Sequence, residues 1–248
     1  RLGHHPIAEM QLGPVRILLD SRSQAASRPF VHRLIVRDTG TNLALIPDQA
    51  VIQEIYGLLA ASERRNDLIF NDVVAALEEG RSPILLTERR DHLDYFATRL
   101  APFAKHLVVL HGGMRSRARR AAIEQLATVP AGEEHLVLAT GRYIGEGFDH
   151  ARLDTLFLAL PISWKGTLVQ YAGRLHRLHP EKSEVRIYDY VDREVPMLAR
   201  MFERRLKGYH AIGYSWTTPT TVSQMSLDTN RPGQKPRRGK PKTRAGSE

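Results

Sequence analysis

Four short apolar runs, at residues 83–87, 107–110, 135–140 and 155–160, limit what this chain can fold into. Each is rich in Val, Leu or Ile and is bounded by polar or turn residues. Such runs, without apolar–polar alternation, mark strands covered on both faces, as in a parallel sheet. A further strand is expected at 184–191. Between the runs the period changes to that of a helix. Ile52, Ile55, Tyr56 and Leu59 share one face, as do Ile69, Val73, Ala76 and Leu77, and then Leu93, Phe96, Ala97 and Leu100. Helices are also expected over about 116–128, over 164–178 with Leu168, Tyr171, Leu175 and Leu178 as the apolar stripe, and over 195–213 with Leu198, Met201, Phe202 and Leu206 inward. Repeated strand and helix alternation gives an α/β class: a three-layer domain over residues 41–215 with a mainly parallel sheet and helices on both faces.

At 248 residues and 42% hydrophobic content, the chain can bury a substantial core. Its net charge of +9 is concentrated at one end, where residues 226–248 carry seven Lys or Arg against two acids. The body is only mildly basic, and residues 216–248 read as a disordered basic tail, too polar to order themselves. Residues 1–40 read as the end of a preceding domain, because 15–19 and 31–36 have strand composition without a hairpin turn between them. Cysteine is absent, which removes disulfides and thiolate metal sites and fits a reducing compartment such as the cytoplasm. No apolar run is long enough to span a membrane. His4 and His5 are adjacent and point to opposite faces of a strand, so they make a poor metal pair.

The chemistry gathers late in the chain. Gln170, Arg174 and Arg177 stand at i, i+4 and i+7, so one helix ridge carries a carboxamide and two guanidiniums. Two cations on one ridge repel each other unless an anion faces them, and the planar fork of Arg suits phosphate. Thr87 and Arg89 fall at the C-terminal end of a strand, where open α/β sheets bind ligands. Arg89 and Arg90 read equally as a solvated turn or as phosphate contacts. His111, Gly112 and Gly113 follow the next strand and lead into a helix whose start is crowded by Arg115, Arg117, Arg119 and Arg120. Cations there oppose the helix dipole, and they are either a solvated face or the partners of an anion.

Ala139 and Thr140 followed by Gly147, Phe148 and Asp149, and then Gln170-x-x-Gly173-Arg174-x-x-Arg177, resemble the fifth and sixth motifs of superfamily 2 (DEAD/DEAH-type) helicases and translocases. These motifs lie in the C-terminal, second RecA-like domain of that family. The resemblance implies a RecA-like topology, with residues 1–40 as the remnant of the first motor domain and its linker. It implies ATP and Mg2+ as cofactors, bound mostly by the first RecA-like domain in the parent chain or in a partner subunit, and DNA or RNA as the partner. By the same resemblance, Arg174 and Arg177 act as arginine fingers on the γ-phosphate and Gln170 couples nucleotide to closure. Gly147 and Asp149 lie near the ribose or the domain interface. Thr87, Arg89, His111, Gly112, Thr140 and Gly141 contact the nucleic-acid backbone. Two positions depart from the family pattern: Glu146 precedes Gly147, and His176 lies inside the sixth motif.

The sequence holds no G-x-x-x-x-G-K-[ST] phosphate loop and no D-E-x-H or D-E-x-D box. This polypeptide is therefore expected not to hydrolyse ATP by itself. The alternative is a non-motor nucleic-acid-binding module acting with a partner nuclease or primase. A Rossmann-type dinucleotide site does not fit, because Gly141, Gly145 and Gly147 have the wrong spacing.

Overall fold

The computed structural model describes residues 28–40, 50–141, 150–162 and 167–216. The strands are β1 (Val31–Asp38), β2 (Pro83–Thr87), β3 (Leu107–Leu110), β4 (Leu136–Thr140), β5 (Thr155–Leu158), β6 (Glu184–Val191) and β7 (Ser215–Trp216). The helices are α1 (Ile52–Ala61), α2 (Glu63–Glu78), α3 (Arg90–Leu100), α4 (Ser116–Ala127), α5 (Thr167–Leu175) and α6 (Pro196–Ala211). All strands run parallel in one sheet of order β3-β4-β2-β5-β6-β1-β7.

Alternate residues of each central strand feed two cores, one per face. Ile84, Leu86, Val137, Ala139, Leu156, Leu158, Val185 and Ile187 face α4, α5 and α6, and meet Leu126, Leu168, Leu175 and Tyr209. Leu85, Leu136, Leu138, Phe157, Tyr188 and Tyr190 face α2 and α3, and meet Ile69, Val73, Leu93 and Phe96. That double coverage is why the strands read as unbroken apolar runs. A smaller core under α1 joins Ile55 and Leu59 to Leu160, Val195 and Leu198, beyond the C-terminal ends of β5 and β6. Gly80 ends α2 at φ +73°, with its N–H on Leu77 and the next N–H, of Arg81, on Ala76.

The sheet also includes a strand that precedes residue 41. β1 belongs to this sheet, paired with β6 from Val31↔Glu184 to Asp38↔Val191. Two buried ion pairs, one to a helix on each face of the sheet, were also not foreseen. Arg205 of α6 grips Asp189 of β6 with two hydrogen bonds, 2.7 and 2.9 Å, and the Tyr209 hydroxyl donates to the same carboxylate at 2.8 Å. Arg65 of α2 donates to Asp192 at 3.4 Å and to the carbonyl of Ala159. No described helix is long and apolar enough to cross a membrane.

Candidate functional site

The helix α5 crosses the sheet from its C-terminal edge to its N-terminal edge and carries the polar ridge read from the sequence. Leu168, Tyr171, Ala172 and Leu175 bury its apolar face in the core, which leaves Gln170 and Gly173 exposed and Arg174 half-buried on the opposite side. Midway along the helix, the Tyr171 hydroxyl lies beside Gly141, just after β4. An added Cβ on Gly141 would stand 2.5 Å from that hydroxyl and closer still to the Glu88 carboxylate. At its lower end the helix stops at Leu175, earlier than the apolar period suggested. Leu178 is therefore 67% exposed rather than part of the stripe, and Arg177 sits on the bend that follows, its N–H 3.5 Å from the carbonyl of Arg174.

A lysine that sequence reasoning missed fixes that bend. Lys182 is buried just before β6, and its ammonium donates to the carbonyls of Leu175 and Arg177, both at 2.8 Å. Helix C-terminal carbonyls lack intrahelical partners and carry partial negative charge, so a cation held against them caps the helix. The ends of Arg174 and Arg177 are thus presented from a pinned backbone.

Gln170, Gly173, Arg174, His176 and Arg177, with Val169 and Arg28, line an open cleft of about 430 Å3. Its floor is aromatic. His176 stacks on Tyr214 with centroids 5.6 Å apart and donates to or accepts from its hydroxyl at 3.1 Å. His32 meets His176 edge-on at 4.8 Å. Burial first, then the nearby Arg28, push His176 down to about 3 and His32 down to about 4. Both rings are neutral at physiological pH and add no charge to the cleft.

The expected nucleic-acid contacts gather elsewhere, along the C-terminal edges of three adjacent strands. Thr87 ends β2 and pairs in register with Thr140, which ends β4; His111 and Gly112 follow β3. Within that group the side chains differ in availability. The Thr87 side chain is buried at 2% exposure, and its hydroxyl is taken by His92 Nδ1 at 3.0 Å and by the Arg89 N–H at 3.4 Å. Both partners lie just after β2, in the connecting turn and the first turn of α3. Arg89 is held by Asp91 through its Nε at 3.0 Å, and Arg90 by Asp94 at 2.8 Å, so both guanidiniums already have carboxylate partners. Gly112 is exposed, and His111 is half-buried with Nδ1 accepting from Gly113 N–H at 3.2 Å. Beside this loop, Arg115, Arg117 and Arg120 are exposed at the start of α4, whose first turn has no acid. Gly147 and Asp149, like His4 and His5 and the basic tail, lie outside the described residues. Among the described residues no group of three His, Cys, Asp or Glu could hold a metal ion.

An all-parallel sheet with this order, crossed by a helix that carries Gln170, Gly173 and Arg174 with Arg177 on the bend beyond, is of the class of RecA-like C-terminal domains of superfamily 2 helicases. The family model of the helicase conserved C-terminal domain matches residues 63–179, from α2 to just beyond α5. Among solved structures, T4 UvsW is similar with a TM-score of 0.60 at 15% identity, over 77% of this chain and 41% of that one. The C-terminal part of the Fun30 ATPase domain gives 0.50 at 12% identity, over 74% and 69%. The C-terminal domain of the DEAD-box protein Dbp5 gives 0.49 at 12%, over 76% and 90%. The likeness to UvsW thus spans less than half of that chain and concerns the fold. No curated protein matches the chain in sequence.

Proposed function

We propose that this domain is the C-terminal half of an ATP-dependent DNA or RNA helicase or translocase. The observation that carries this reading is the cleft in which Gln170, Arg174 and Arg177 converge on one side of α5. Closure against a first RecA-like domain, in the parent chain or a partner subunit, brings Arg174 and Arg177 to the γ-phosphate as arginine fingers, with Gln170 coupling nucleotide to closure. Gly147 and Asp149 serve the nucleotide side of the same interface. The first domain supplies the phosphate loop and the Mg2+ ligands, so the present chain does not hydrolyse ATP alone. Phosphodiester backbone lies along the edge formed by Thr140, Gly141, His111 and Gly112, supported by the α4 arginines. Arg89 joins it by exchanging Asp91 for phosphate, while Thr87 holds the turn from below. Since α5 packs Tyr171 against Gly141 on one face and lines the arginine cleft with Gln170, Gly173 and Arg174 on the other, it is the element through which the two sites sense each other.

The test is steady-state ATPase kinetics of the parent enzyme with nucleic acid saturating. Arg174→Ala or Arg177→Ala is expected to lower kcat by roughly a hundredfold or more with little change in nucleotide affinity of the open state, because the guanidinium acts on charge that develops in the transition state. Arg→Lys rescues poorly, since a point charge does not reproduce the bidentate fork. Wild-type kcat in both alanine variants, with thermal melts unchanged, would overturn the assignment.

A further inference from the structure

The third guanidinium of the cleft belongs to neither motif. Arg28 precedes β1, far from α5 in sequence, yet it lines the same cleft as Gln170, Gly173, Arg174 and Arg177. Its position is fixed from below. Phe30, two residues on, is buried at 5% exposure and sits 5.2 Å from His32, while Lys182, the cap of α5, lies 5.6 Å over the Phe30 ring. The start of β1 and the end of α5 are therefore tied to one aromatic floor.

Arg28 is half-buried and makes no ion pair with any described residue. Burial lowers its pKa, with Tyr214 acting weakly the other way. The described lining of the cleft contains no Asp or Glu. A partly desolvated Arg28 guanidinium with no carboxylate partner among the described residues is stabilised by an anion, and Arg forks match phosphate oxygens. The volume, about 430 Å3, is ample for a polyphosphate tail and lies within the usual span of small-ligand sites.

We infer that Arg28 is a third phosphate-binding side chain of this cleft, so that the terminal phosphates of a nucleoside triphosphate are gripped by the segment entering β1 as well as by α5. The inference rests on the nucleotide reading of Arg174 and Arg177 and extends it to a residue outside the motif. A phosphate held from both sides links the chain leading into this domain to the arginine helix, so occupancy of the cleft is felt where the domain is entered.

The experiment uses the full 248-residue chain and inorganic tripolyphosphate as the probe. Binding is followed by NMR at the Gly173 amide and the Gln170 carboxamide, which report the cleft and not the basic tail. Arg28→Ala and Arg174→Ala are each expected to weaken the apparent Kd about tenfold, Arg28→Lys to recover part of the loss, and Arg115→Ala, at the far edge, to change it less than about twofold. Arg28→Gln, which keeps length and polarity, serves as the second variant should Arg28→Ala perturb the floor. Wild-type affinity in Arg28→Ala and Arg28→Gln with weakened binding in Arg174→Ala overturns this inference and leaves the nucleotide reading standing. Wild-type affinity in every variant overturns both. Equal weakening by Arg115→Ala means general attraction to basic surface and overturns the inference. Equally tight binding of a short oligonucleotide without terminal phosphates assigns the cleft to phosphodiester backbone and likewise overturns it.

Discussion

At the scale of single residues, the candidate site depends on positions whose importance is steric as much as chemical. Gly141 is one. With a Cβ it would press on the Tyr171 hydroxyl and the Glu88 carboxylate together. Gly141→Ala is expected to destabilise the domain by about 1–3 kcal/mol, the usual cost of overpacking. Urea unfolding should show the loss, and Glu88→Ala in the same chain should recover part of it by letting the backbone settle; simple additivity of the two changes would contradict the contact. Gly141, Gln170, Arg174 and Arg177 were readable because glycine beside a strand end and arginine at helical spacing are local patterns. Arg28 and Lys182 were not, because a lone Arg before a strand or a lone Lys in a loop carries no signal until the fold brings α5 beside it. For Thr87 the place at a strand end was visible, but its hydrogen bond to His92, in the first turn of α3, was not.

At the scale of elements, α6 is attached to the sheet by chemistry that its apolar stripe did not announce. Leu198 and Phe202 were expected inside and are buried, but the side chain that anchors the helix to β6 is Arg205, at 1% exposure. Its two hydrogen bonds to Asp189, with Tyr209 on the same carboxylate, leave few unused lone pairs. Removing one partner strands a buried charge, whereas removing both does not. Asp189→Asn is therefore expected to cost about 3–5 kcal/mol, while Asp189→Asn combined with Arg205→Met costs less than the single change. Denaturant midpoints of the two variants decide this, and a double variant worse than Asp189→Asn would disprove the coupling. The end of α5 shows the opposite case, in which the sequence promised too much. Leu178 continued the apolar period, but Lys182 captures the carbonyls of Leu175 and Arg177 and ends the helix first.

At the scale of the whole molecule, buried histidines make stability depend on pH. Desolvation pushes His92, His135 and His176 down to about 3 and His32 to about 4, from 6.5 in the unfolded chain. Because their folded pKa values are depressed, the unfolded state binds protons first. The stability of the neutral rings is complete above about pH 6.5 and is lost as pH falls toward 3–4, with a limiting slope of about 1.4 kcal/mol per pH unit for each histidine. Urea titrations at pH 7.5, 6.5 and 5.5 should show the loss beginning above the range where carboxylates titrate, and His135→Gln should flatten it; a stability constant from pH 7.5 to 5.5 would refute the linkage. Sheet membership is the other global property, and here the strands were legible but not all their partners. β2, β3 and β6 appear in the sequence as they appear in the fold, whereas β1 looked like part of a preceding domain because its partner is β6, at the other end of the domain. A chain lacking residues 1–40 would leave the long β6 edge bare, and is expected to aggregate and lose its cooperative melt; a monomer with unchanged Tm on size exclusion and calorimetry would show that β1 is dispensable. The same pairing sets an order of events during synthesis. Residue 31 must wait for residue 184, roughly 8–30 s at ~5–20 residues per second, so the first described strand to be made is among the last to be locked, and the nascent domain stays open on that side until nearly all of it has left the ribosome.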